Sequence, residues 1–186
     1  MAFIDIIPPE NAEGELKEVY DQVIKSRGAV AEVLRLHSLN PKSLTTHVDL
    51  YMGIMFGKSP LKRHIREMMA VVVSKANNCY YCQTHHGEAL NNFWKDENRV
   101  EQLKADFTQC GLTEKELGLA QYAWQLTQDP SASTQQQIDS LKALGWSDRA
   151  ILDAALVISY FNFVNRMVLG LGAHIEEHQG KGFVYD

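Results

Sequence analysis

The sequence predicts an all-α fold, a single helical domain over residues 1–186. Three observations carry this. Apolar residues recur at helical spacing, glycines followed by Ser or Thr mark one junction after another, and almost nothing alternates as a strand would. After Pro8 and Pro9, Leu16, Val19, Tyr20 and Val23 line one face while Glu13, Glu15, Glu18 and Asp21 fill the other, so the first element is an amphipathic helix. Shorter helices follow over Val30–Leu39 and Pro41–Phe56, divided at Asn40-Pro41 because proline disfavours helix in the residue before it. Gly57-Lys58-Ser59-Pro60, Gly111-Leu112-Thr113 and Gly145-Trp146-Ser147 each place a helix-ending glycine before a capping hydroxyl, and Thr113 with Glu116 matches a capping box. The remaining helices are expected at 60–76, 79–94, 97–108, 114–128, 134–144 and 148–176. The polar stretch Gln128–Gln137 is one loop's length and does not divide the chain.

Composition narrows the function. With 45% hydrophobic and 22% charged residues the chain has ordinary globular usage, and its length allows a core without disulfide staples. A formal charge of -5 argues against nucleic acid or an anionic membrane as partner. Met1–Glu10 lacks a basic region followed by an apolar run, so a cytoplasmic protein is expected. Ala150–Leu171 is the most apolar segment, yet Asp153, Asn162, Asn165 and Arg166 make it a core helix rather than a membrane span. No Gly-rich phosphate loop appears, and no cofactor is expected. Trp94, Trp124 and Trp146 read as packing residues, and Cys110, without a nearby partner, as an inert thiol.

Chemistry concentrates between Glu67 and His86. Asn77-Asn78 breaks the apolar run Met68–Val73, so Cys79 opens a new helix, where unpaired N–H groups favour a thiolate. Cys79 and Cys82, three apart on a helix, are close enough to pair reversibly. His86 lies on the same face and can pass a proton to either sulfur. Glu67, on the preceding helix, can reach the site as a base or as a partner of His86, with partial burial expected to raise its pKa. A zinc site built from Cys79, Cys82, His86 and either His85 or Glu67 is the competing reading, weakened because three of these ligands crowd two turns of one helix, and no metal is expected.

The pattern Glu67, Cys79-Tyr80-Tyr81-Cys82, His86 resembles the active-site motif of the AhpD-like alkylhydroperoxidases of the carboxymuconolactone decarboxylase superfamily, in the peroxidase-related branch. The resemblance implies an AhpD-like helical bundle assembling as a homo-oligomer. It implies that Cys82 attacks a small-molecule peroxide and becomes a sulfenic acid, that Cys79 resolves it as a disulfide and donates a proton, and that Glu67 and His86 relay protons. A dithiol reductant or reducing protein would restore the pair. Tyr81 stands where studied members of the family carry histidine, so the relay is shorter or uses His85. Tyr81, His85, Asn162 and Asn165 are candidate pocket residues. The superfamily's lactone decarboxylase chemistry would leave the cysteine pair unexplained, while a redox sensor or zinc-binding module would keep it without turnover.

Overall fold

The computed structural model describes residues 2–177, and among them there is no strand. The architecture is organised around α4 (Arg63–Ala76), whose apolar run leaves no polar face. Met68 through Val73 have no solvent exposure, and a helix apolar all round must sit at the centre. Packed about it are α5 (Tyr80–Trp94), α6 (Glu97–Ala105), α7 (Glu114–Gln128) and α9 (Asp148–Leu171), with α8 (Gln135–Ala143) against α7 and α9. On the N-terminal side, α1 (Gly14–Arg27), the single turn α2 (Glu32–Arg35) and α3 (Pro41–Met55) enclose a smaller cluster in which Leu16, Val19, Tyr20 and Val23 meet Val30, Leu34 and Leu44. The face expected for the first helix is therefore the buried one.

Capping hydroxyls account for most starts. Thr113 and Thr134 each form a capping box, and the Ser147 side chain accepts from the Ala150 N–H. Ser59 does not cap α4: its hydroxyl donates to Asp153 at 2.5 Å, and the helix starts at Arg63. The helix expected over Val30–Leu39 is one turn only, and that expected to reach 108 stops at Ala105. The last helix ends at Leu171 rather than 176. Gly172 there has φ +69, and a Cβ would lie 2.7 Å from the Phe3 ring. The segment thus freed turns back across α5, which matters for the site. α9 is long and apolar enough to cross a membrane, but it buries Ala154, Val157, Phe161 and Asn165 inside the bundle.

Candidate active site

The turn between α4 and α5 sets the cysteines. Asn77 ends α4, Asn78 takes a left-handed φ of 55°, which asparagine tolerates, and the Cys79 N–H donates to the Ser74 carbonyl at 2.8 Å. Cys79 is the residue that caps α5, with Cys82 in its first turn. Both are free, buried thiols hydrogen-bonded to one another. Cys79 is pulled below the ordinary thiol range, chiefly by the Cys82 thiol, against burial, with help from the Cys82 backbone N–H. Cys82 is pushed well up by the same hydrogen bond and by burial. Of the two sulfurs Cys79 is therefore the more acidic, as the helix-start argument anticipates.

Glu67 is fully buried in the middle of α4. One carboxylate oxygen accepts from Arg63, with Nε at 2.7 Å, and the other meets His86 Nδ1 at 2.6 Å. Burial pushes the carboxyl up, but the charge and hydrogen bond of His86, and then of Arg63, outweigh it and the net displacement is downward. The expected rise in its pKa is thus reversed. Glu67 is an ionised anchor that fixes the proton on His86 Nδ1 and leaves Nε2 for chemistry. Arg63, one helical turn before Glu67, was legible as an i, i+4 partner, and its guanidinium lies 3.7 Å from the centre of the Phe56 ring.

Cys82, Tyr81, His85 and His86 share the wall of one cavity of about 80 Å³ with Val33 and Phe161. That is ample for a small alkyl group or several waters. Cys79 does not line it. Tyr81 and His85 are held from outside the helix by Glu176, on the segment after α9. Its Oε1 accepts from the Tyr81 hydroxyl at 2.9 Å and from the Glu32 N–H at 2.8 Å, while Oε2 lies 2.7 Å from His85 Nε2. Nothing in the local sequence signals Glu176, since its contact with His85 spans 91 residues. Burial raises its carboxyl, but the His85 and Glu32 hydrogen bonds bring it down to about 2. Its stabilisation is complete above the unfolded value of 4.5 and is lost as pH falls toward 2. Glu176→Gln should therefore remove roughly 1–3 kcal/mol at neutral pH and flatten the decline between those values, measured as urea midpoints at pH 6 and pH 3.

Asn162 and Asn165, expected at the pocket, are not among the cavity walls. The Asn77 amide donates to both, at 3.1 and 2.9 Å, while Asn165 donates to Ser74 and Asn162 to Thr127. These polar groups satisfy one another and lock the α4–α5 turn to α9 and α7. Asn165 also hydrogen-bonds Cys82. Cys110 is buried, its thiol donating to the Phe107 carbonyl. Among the described residues no three His, Cys, Asp or Glu side chains converge as a metal would require.

The Carboxymuconolactone decarboxylase family model matches residues 41–103, a span that includes Glu67, both cysteines and His86. No curated protein matches the chain. Among solved structures, an uncharacterized peroxidase-related protein from Silicibacter sp. TM1040 is 26% identical over 97% of this chain and 94% of its own, with a TM-score of 0.89. An AhpD-core peroxidase-related protein from Ralstonia eutropha JMP134 is 18% identical over 96% and 94%, with a TM-score of 0.88. The debrominase Bmp8 is 20% identical over 94% and 92%, with a TM-score of 0.78. Helices, central motif and these relatives agree: residues 41–103 match the carboxymuconolactone decarboxylase family model, and the chain as a whole is similar in fold to AhpD-like, peroxidase-related proteins.

Proposed function

We propose that this protein is a thiol-dependent peroxidase that reduces a small organic hydroperoxide or peroxide at Cys82, with Cys79 as resolving thiol and Glu67 and His86 as proton relay. The observation that carries the reading is the double placement of Cys82, which lines the cavity beside His86 and hydrogen-bonds Cys79. Access favours Cys82 although Cys79 is the more acidic thiol, and one proton transfer reconciles them: the Cys82 proton passes to His86 Nε2 as Cys82 attacks. A bond forms between the Cys82 sulfur and the terminal peroxide oxygen. The O–O bond breaks toward the alkoxide, which takes that proton from His86, and Cys82 is left as a sulfenic acid. The Cys79 sulfur then displaces the hydroxyl from Cys82. Its proton leaves with that hydroxyl as water, and the disulfide is complete. A dithiol reductant or reducing protein returns both thiols.

The test is a thiol count by mass spectrometry on the reduced, metal-free protein before and after one equivalent of tert-butyl hydroperoxide. Loss of two thiols at Cys79 and Cys82, with one equivalent of alcohol formed, is expected. Survival of both thiols overturns the reading.

A further inference from the structure

The same cavity has a second polar wall that the peroxidase reading leaves unused. His47 from α3 and Tyr160 from α9 both line it, and both are buried. They form part of a continuous chain. The Tyr160 hydroxyl lies 2.8 Å from His47 Nε2, His47 Nδ1 lies 2.8 Å from His37 Nε2, and His37 Nδ1 lies 3.0 Å from the Ser43 hydroxyl.

The far end gives the chain a direction. The Ser43 hydroxyl donates to the Asn40 carbonyl at 2.9 Å, and a carbonyl can only accept. Its single hydrogen is thereby used, so Ser43 must accept from His37 Nδ1–H. Burial holds His37 below the usual imidazole range, and burial with the neighbouring His37 takes His47 to about 3, so both rings are neutral at physiological pH. A neutral imidazole has one N–H. His37 Nε2 therefore accepts from His47 Nδ1–H, and His47 Nε2 accepts the Tyr160 proton. Tyr160 itself is kept protonated, its hydroxyl raised well above the ordinary range by burial and then by Tyr51. Every donor in the chain points away from the cavity, and what Tyr160 has left to offer a ligand is oxygen lone pairs. Of the other titratable groups on the cavity, Arg27 lies on α1, Tyr51 on α3 beside His47, and Tyr81, Cys82, His85 and His86 on α5, and none stands between members of this chain.

We propose that Tyr160 is a ligand-binding residue whose phenolic oxygen accepts a hydrogen bond, so that the cavity selects compact apolar molecules carrying one O–H donor. Within the peroxidase reading, on which this part rests, the donor is the hydroperoxide O–H. Its oxygen is the atom Cys82 attacks, and Tyr160 holds it by a hydrogen that stays in place while the sulfur–oxygen bond forms and the alkoxide departs. His47 and His37 are positioning residues, acting only through Tyr160.

Binding measured by calorimetry on the reduced protein tests the site without requiring turnover. Phenol and anisole serve as probes, since they differ by O–H against O–CH3. The wild type should prefer phenol by about fivefold or more, the factor one hydrogen bond supplies. Tyr160→Phe should bring the preference within about twofold, leaving anisole affinity unchanged. His47→Gln, whose amide oxygen can still take the Tyr160 proton, should retain the preference. A preference that survives Tyr160→Phe overturns the proposal, as does a wild type that binds neither probe. In kinetics, Tyr160→Phe should raise the KM for tert-butyl hydroperoxide more than it lowers kcat. A wild type that shows the phenol preference but consumes no hydroperoxide would sink the peroxidase reading and leave the donor-selective site standing.

Discussion

Glu67→Gln should lower thermal stability and hydroperoxide turnover together. The carboxylate is fully buried between Arg63 and His86, so losing its charge leaves two cations or donors facing a neutral amide in the centre of the bundle. Breaking a buried ion pair from one side costs about 3–5 kcal/mol, which for a chain of this length corresponds to a fall in Tm on the order of 10 °C. The pH dependence should change with it. Because the folded carboxyl titrates below its ordinary value of 4.5, its contribution is complete above that value and disappears as pH falls through the lower folded one. Calorimetric scans from pH 7 downward should show that decline in the wild type and little of it in Glu67→Gln. Equal Tm values at pH 7 would mean that Arg63 and His86 find other partners, and the anchoring role would be wrong. The turnover loss has a separate cause: without the carboxylate, the proton on His86 is no longer confined to Nδ1.

The cysteine variants should differ in kind as well as in size. Cys82→Ser removes the only sulfur that the described residues place on the cavity wall, and hydroperoxide consumption should fall on the order of 10³-fold or more. Cys79→Ser should still consume close to one equivalent and then stop as a sulfenic acid, trapped with dimedone and located by peptide mass spectrometry at Cys82. The opposite pattern, with the sulfenic acid on Cys79 in Cys82→Ser, would show that acidity rather than access chooses the nucleophile.

The helical class, the apolar centre at Met68–Val73 and the spacing of Glu67, Cys79, Cys82 and His86 were all readable along the chain. Each depends on local rules: helical periodicity, capping chemistry, and the identity of side chains within a turn or two of each other. Even so, local rules misplaced the start of α4, because Ser59 has a choice of partners and Asp153, distant in sequence, takes its hydroxyl.

Everything that depends on what stands across the bundle was decided by the tertiary structure. The sign of the Glu67 shift is one such case, since burial alone raises a carboxyl and the contact with His86, nineteen residues away on another helix, joins Arg63 in reversing it. Asn162 and Asn165 are polar at helical spacing in any reading, but only the α4–α5 turn packed on α9 makes them a lock for Asn77 rather than a pocket wall. Glu176 and the His37–His47–Tyr160 chain leave no trace in the local pattern, because they join segments separated by up to 113 residues. The sequence by itself determined a helical protein with a thiol pair, a carboxylate and an imidazole at fixed intervals. Which sulfur meets the cavity, which one is the more acidic and what faces them were settled by packing, because a hydrogen bond and a desolvation depend on neighbours in space and the chain specifies only those in order.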